Sequence, residues 1–554
     1  MRLRVPLTLA VVNVIAHSVI WLVLDRLRQI QVMASIGVLG LSGVVLFLWF
    51  VFASGAPRRA RTAVAAAVMA TLVLSVALFR IRGVTGDLVP IIEYRFAAAR
   101  ILPEAQQPPM AAAPSPESVA TATIAPNPEA PASVGAVPPK ASPAAGSTGP
   151  AASSAAAAAP PTTTQNHLDW PQYLGPGRLG LVPDVALATD WTSTAPRLLW
   201  RQPVGAGWSG FAVSGDIAVT MEQRGRDEKV MAYDLKSGRP LWSHGDAAAH
   251  DSPLGGLGPR GVPAIDQGQV FSLGATGLLN ALDLRTGRRL WSRNVLRDNQ
   301  SSEPEWGLAS SPLVHGDRVI VGAGGASGRA LVAYDRATGE PLWAAGNGRL
   351  AYSSPALMTL AGREQVVMMN QASVAGHDPV TGAVLWESSV PGTEPRAAQP
   401  LPLSPDRVLF SIGYGIGSKV FEISAGGESA QSAKLVWATP RLKSKFANLI
   451  AHEGSVYGLD DGVFVCLDPL TGERRWKAGR YGHGQIILAG KHLLVQAESG
   501  EVILIEPNPE RLIEIARFRA LEGKTWNPPA FAAPILLVRN DLEAAAYEMP
   551  VLPR

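Results

Sequence analysis

At 554 residues the chain is too long for one ordinary domain, so two or more regions are expected. Its 49 Lys and Arg against 45 Asp and Glu form no dense basic cluster, which excludes a nucleic-acid footprint and describes an ordinary surface. Cys466 is the only cysteine, which excludes an intramolecular disulfide, a thiolate-rich zinc site and a covalently attached c-type haem.

Three apolar runs open the chain. Val5–Leu24, Val32–Phe52 and Thr62–Phe79 contain no Asp, Glu, Lys or Arg. A bilayer core about 30 Å thick takes roughly 20 helical residues, so each run is long enough to cross. The first carries Asn13 and His17, read as helix-contact residues. The stretch "WLVLDRLRQ" offers no small-residue cleavage site, so residues 1–82 read as an uncleaved anchor of three transmembrane helices. Arg2, Arg4, Arg58, Arg59 and Arg61 lie on one side of it, and Arg26, Arg28, Arg80 and Arg82 on the other. The excess favours a cytoplasmic N-terminus and places the chain beyond Arg80 outside the bacterial inner membrane.

A short juxtamembrane segment, 83–102, comes next. Over 103–167 the composition collapses to Ala, Pro, Ser and Thr with no periodic apolar pattern. Such a stretch cannot bury enough surface to offset its ordering entropy and is expected to be a disordered linker.

From residue 168 to 554 the chain repeats itself. "AYDRATGEPLW" ends at Trp343, and matching phrases end at Trp242, Trp291, Trp386 and Trp476. The sets are Asp234, Gly238 and Trp242; Asp283, Gly287 and Trp291; Asp335, Gly339 and Trp343; Asp378, Gly382 and Trp386; and Asp468, Gly472 and Trp476. An apolar strand precedes each aspartate and a second strand ends at each tryptophan. Between them the Asp side chain can accept backbone hydrogen bonds and Gly can supply a positive φ, which is a hairpin signal. The sets read as a structural docking motif, with each indole packed between units.

The tryptophans step by 49, 52 and 43 residues, and worn copies ending at Trp437 and Phe518 continue the series. Periods of about 40–50 residues with short strands mark a β-propeller. The strand around Trp200 lacks inner partners, while Ile535–Met549 lacks an outer one. Joining them gives eight blades. The expected fold is therefore all-β: an eight-bladed propeller closed by N- and C-terminal strands, preceded by three transmembrane α-helices and the linker.

The Asp-x-x-Thr-Gly-x-x-x-Trp signature closely resembles the docking motif of pyrroloquinoline quinone (PQQ) propeller repeats. These occur in quinoprotein dehydrogenases and in BamB-like outer-membrane assembly factors. "WPQYLGPGRLG", "GRYGHGQ" and "GKTWNPPAF" further resemble membrane-anchored PQQ-like repeat proteins, and the resemblance implies a periplasmic head. In the dehydrogenases of the family the quinone lies over a tryptophan, often below a disulfide of adjacent cysteines. A calcium ion is held there by Glu, Asn and Asp beside an Asp base. This chain cannot make the disulfide, and Glu222, Glu303 and Glu305 fall in no calcium or base motif.

Loops leading into the innermost strands converge on one mouth of a propeller channel. Here they carry Trp208, Arg260, Trp306, Tyr352, Arg396, Lys445, His483 and Trp526. An aromatic, cationic ring suits a flat anionic ligand such as PQQ, or an extended peptide; equally, it suits a plug. No Walker loop, dinucleotide fingerprint, catalytic triad or zinc pattern appears. No catalytic residue and no metal ligand is assigned.

These readings lead to a non-enzymatic, BamB-like protein-binding scaffold of the cell envelope. It is multi-pass in the inner membrane, with its propeller in the periplasm, an envelope protein as partner and no nucleic acid. No cofactor is expected. The alternative is a membrane-bound dehydrogenase of alcohols or sugars that uses PQQ and calcium. A sensor that relays ligand occupancy through the helices finds no signalling domain to support it.

Overall fold

The computed structural model describes residues 4–23, 28–96, 168–252, 254–325, 328–426 and 431–552; the expected linker over 103–167 lies outside them. Helix α1 covers Arg4–Ser18 and continues in a π-helical turn, Val19–Val23; α2 covers Arg28–Ala53 and α3 covers Arg58–Leu78. All three are long and apolar enough to cross a membrane. Helix α3 starts, ahead of its first apolar residues, at Arg58 and Arg59, whose long stems can run along the helix while the charge stays in water. Inside the bundle Asn13 Nδ2 donates to Ser42 Oγ of α2 at 2.7 Å, and His17 Nδ1 lies 2.9 Å from the Asn13 carbonyl oxygen.

Where the sequence suggested only a juxtamembrane connector, α3 runs directly into a β-hairpin. Strand β1, Phe79–Val84, pairs antiparallel with β2, Pro90–Tyr94, setting Phe79 opposite Tyr94 and Ile81 opposite Ile92.

Eight sheets of four or five strands follow. Blades 1 to 7 run in chain order from Ala212–Asp246, through Ala264–Asn294, Leu313–Ala345, Ala356–Ser389, Leu401–Thr439 and Ile450–Arg480, to Gln485–Arg519. Blade 8 joins Ala530–Ala532, Ile535–Arg539 and Glu543–Glu548 to Arg197–Pro203. Inner strands such as Ser455–Asp460 and Ile535–Arg539 are buried throughout, while the outer strand Arg474–Arg480 is mostly exposed.

The expectation of a ring closed by N- and C-terminal strands is corrected: among the described residues no sheet is closed. Each blade is an open antiparallel sheet. Among the described residues blade 7 alone gains a fifth strand, Leu181–Val182, parallel to its innermost one. The terminal strands do pair, but what they complete is one more open sheet. Strongly twisted blades turn their faces, not their edges, toward one another. Ladder hydrogen bonds therefore stop at each blade's margin, and side-chain packing carries the contact between blades.

The repeated phrase supplies that packing. In blade 3, Asp335 Oδ1 accepts from Thr338 N at 2.8 Å and Thr338 Oγ1 at 2.9 Å, and Gly339 turns the chain at φ 74°. These bonds hold the Asp335 carboxyl below its ordinary pKa. Trp291 of blade 2 donates its indole N–H to the Arg336 carbonyl in that turn, at 2.8 Å, and packs with Val319 and Tyr334. Trp200, Trp242, Trp437 and Trp476 likewise donate to Leu235, Leu284, Pro469 and Asn508 of the next blade. Trp386 faces worn blade 5, which has no such turn, and donates instead to Gln365 of its own blade.

Ahead of blade 1, residues 168–182 form a strap across the inner strands. Trp170 exchanges two backbone bonds with Val213 of blade 1, and Ile265 N of blade 2 donates to the Pro171 carbonyl. Buried Arg178 donates to the Ser311 and Pro312 carbonyls at the start of blade 3, and Leu488 N of blade 7 donates to the Gly180 carbonyl.

Candidate functional site

The loops before the innermost strands surround a cavity of about 390 Å³ at one mouth of the channel. Tyr173 of the strap is part of its lining, and burial pushes that phenol up to about 12. Six of the eight residues expected from sequence line it: Trp208, Arg260, Trp306, Tyr352, Lys445 and Trp526.

On one side Trp208 and Trp526 lie with ring centroids 4.9 Å apart, and Lys524 Nζ sits over both, 4.6 and 4.0 Å from their centres. Phe446 extends this wall, 4.9 Å from Trp526. Burial lowers Lys524 to about 8, against the pull of Asp541 and Glu498. Across the cavity Trp306 stacks on Tyr352 at 5.2 Å, and Tyr414 stands 6.4 Å from Trp306. Lys445 Nζ lies 5.5 Å over the Tyr414 ring and 3.2 Å from His483 Nε2; burial lowers its pKa. Arg260 is braced by the Gly258 and Gly256 carbonyls, and burial brings it down to about 10.

The remaining two expected residues stand outside the wall. His483 is buried just behind Lys445. Arg396 is also buried, but lines a neighbouring cleft of about 580 Å³ behind the Trp306–Tyr352 stack. Among the described residues its Nε and Nη2 have no hydrogen-bond partner.

Sequence reasoning missed Tyr173, Tyr414, Phe446, Lys524 and Glu498. Lys524 and Phe446 stand beside residues that were singled out, so the same loops carried their signal. Glu498 lies in a turn of blade 7 with no local signature. It accepts from Gly86 N at 2.7 Å, His483 N at 3.0 Å and Trp526 Nε1 at 2.9 Å.

Three carboxylates near the mouth are engaged. Glu222 holds Arg224 and Gly205 N, Glu303 meets His250, and Glu228 accepts from Ala275 N. Burial raises Glu228 to about 7. Among the described residues no group of three or more His, Cys, Asp or Glu is arranged to hold a metal ion. The wall's aromatic faces and its cations, Lys445 buried and Arg260 and Lys524 half-buried, are donors of the kind that suit a flat anion.

Residues 168–311 and 226–478, together more than half of the chain, match the family described as "Outer membrane protein assembly factor BamB". The protein of that name from Bordetella pertussis is 24% identical over 360 residues, covering 62% of this chain and 84% of its own length. The 1-butanol dehydrogenase (cytochrome c) of Thauera butanivorans is 34% identical over 100 residues, but these are 18% of this chain and 14% of the enzyme. Among solved structures, a europium-containing methanol dehydrogenase superposes with a TM-score of 0.52 at 14% identity, over 68% of this chain and 90% of its own, a likeness of fold alone. With its docked tryptophans, its eight blades and this match, the chain belongs to the BamB family of PQQ-like β-propellers, whose fold is related to that of the quinoprotein alcohol dehydrogenases.

Proposed function

We propose that the protein is a membrane-anchored binding head whose channel mouth takes a flat, aromatic, polyanionic ligand of the pyrroloquinoline quinone class. One observation carries this reading: buried Lys445 and half-buried Arg260 line one cavity together with Trp208, Trp306, Tyr352, Tyr414 and Trp526, and half-buried Lys524 lies against the Trp208 and Trp526 rings of its wall. A cavity of this size suits a small cofactor, for which pockets run from about 300 to 1,000 Å³. The similarity of the repeats to alcohol dehydrogenases supports the same class. Such a quinone, once bound, supplies an electron acceptor. Arg260, Lys445 and Lys524 would pair its carboxylates and the indoles would cover its faces. Among the described residues no group of three or more His, Cys, Asp or Glu stands ready for a calcium ion, and no oxidation step is assigned to this chain's residues.

The arginine count around the helices supports a head outside the bacterial inner membrane. To test the ligand reading, pyrroloquinoline quinone is titrated into the full chain in detergent while tryptophan emission is followed, with and without calcium. Saturable quenching that Arg260→Ala and Lys445→Ala weaken supports it, and a flat titration overturns it. Dye reduction with alcohols or sugars in the same samples would add the dehydrogenase activity.

A second reading, a scaffold for envelope proteins, is favoured by the outer strands. Leu198, Leu290, Leu342, Val384 and Leu435 are exposed on strands whose outer edges pair with nothing in the described fold. Exposed apolar edges are templates for an added strand. Charged substitutions at Leu342 and Leu435 that abolish co-purification of an envelope protein would establish it; unchanged co-purification would remove this surface from consideration.

A further inference from the structure

Part of the cavity's lining comes from no blade and no strap. Val84, Thr85, Gly86 and Leu88, at the tip of the β1–β2 hairpin, line the mouth together with the loops. Propeller side chains read the tip's backbone directly. Lys445 Nζ donates to the Gly86 carbonyl at 2.8 Å, Lys524 Nζ donates to the Val84 carbonyl at 3.1 Å, and Glu498 Oε1 accepts from Gly86 N at 2.7 Å. Arg82 pairs with Asp541 at 2.8 Å, and Asp87 lies 3.6 Å from Arg480 and 3.3 Å from His483. A Cβ added to Gly86 would stand 1.9 Å from His483 Cδ2, so a larger residue cannot seat here without moving the hairpin or the ring.

From this we infer that the hairpin is an intramolecular lid, and that an anionic ligand and the hairpin compete for Lys445 and Lys524. The inference rests on the ligand reading above and adds its regulation. Both ammonium groups now hold neutral peptide carbonyls. A carboxylate forms the stronger, charge-assisted bond and draws them away from the tip. Phe79 follows Leu78 of α3 directly, so release of the tip is a displacement at the end of a membrane helix. Occupancy of the mouth is thereby passed to the anchor, and a lid held shut weakens the ligand by the same factor.

The test uses the full chain in lipid nanodiscs with Ala309→Cys, on the cavity wall, as reporter; Cys466 is fully buried. Modification by a charged maleimide rises about tenfold when Gly86→Leu is added, the factor expected if a lid open in about a tenth of molecules becomes open in nearly all. An oxidised Gly86→Cys/His483→Cys pair, whose Cβ atoms stand about 3.0 Å apart before relaxation, pins the tip, slows modification below the parent rate and weakens pyrroloquinoline quinone binding; reduction restores both. Equal modification in the parent, the opened and the pinned protein overturns the lid. Faster modification of the opened protein, with no quinone bound by any of the three, upholds the lid and overturns the ligand reading instead.

Discussion

The indole of Trp291 rests against the α-carbon of Gly339, one blade further on: a Cβ built there would meet Trp291 Cδ2 and Cε3 at 2.7 Å. The same relation joins Trp200 to Gly238, Trp242 to Gly287, Trp343 to Gly382 and Trp437 to Gly472. Glycine is thus needed twice in the repeated phrase, to turn the chain at positive φ and to leave a seat for the neighbouring ring.

Gly339→Ala should therefore cost more than a loop glycine ordinarily does, roughly 2–4 kcal/mol, from φ strain and a displaced indole together. Trp291→Ala should cost about 3–5 kcal/mol. The double variant should fall short of the sum, because both changes break the same contact. Urea and thermal unfolding of the four proteins measures this; full additivity would show that the seat is incidental.

Lys524 gives the mouth a pH dependence. It is charged below about 8 and neutral above, so binding of an anionic quinone should weaken as pH rises from roughly 7 to 9, the range over which the ammonium is lost. Lys524→Arg stays charged and should remove that inflection. Unfolding adds a second mark: the unfolded lysine titrates near 10.4, so the unfolded chain holds more protons between about 8 and 10.4 and stability should rise with pH there. Quinone titrations at stepped pH decide the first point and urea melts the second.

Glu228 runs the other way. Its folded pKa is raised to about 7 by burial, so the folded chain holds the extra proton between about 4.5 and 7, and the stability this group contributes is lost as pH rises through that window. Glu228→Gln keeps the acceptor for Ala275 N without a charge to bury. It should match the parent near pH 4.5 and exceed it at pH 8 by up to about 3 kcal/mol. A parent and variant that melt alike at pH 8 would contradict this.

Arg178 locks the strap to blade 3 through the Ser311 and Pro312 carbonyls. Arg178→Ala leaves both acceptors buried and unpaired, at roughly 2–3 kcal/mol in total. Hydrogen exchange at Leu488, whose amide is held by the strap's Gly180 carbonyl, should accelerate. An unchanged exchange rate would mean the strap is held without this residue.

Sequence carries what is written locally. Asp335, Thr338 and Gly339 sit within five positions and form one turn, so both repeat and fold class could be read from their spacing. The mouth loops were legible because each precedes a strand in a regular series, which brought six named residues to one cavity. Arg396 escaped, since position on a loop does not say on which side of the Trp306–Tyr352 stack its side chain falls. The hairpin escaped more completely. "FRIRGV" and "PIIEY" alternate weakly, and the partners of Gly86 and Arg82 lie more than 350 positions away, at Lys445, Glu498 and Asp541. The supposed closure failed for a related reason: joining strands at the two ends says which sheet they share, not whether sheets bond to one another.

Blade 8 also sets an order of events during manufacture. Arg197–Pro203 emerges ahead of every strand of blades 1 to 6, yet its ladder partner, Glu543–Glu548, is made only after blade 7. Until those residues arrive, Trp200 and the flank of blade 1 have no finished neighbour. A polypeptide cut short anywhere before Glu543 would present that raw margin to chaperones and proteases, so the pairing of Arg197–Pro203 acts as a receipt that synthesis has passed Glu548.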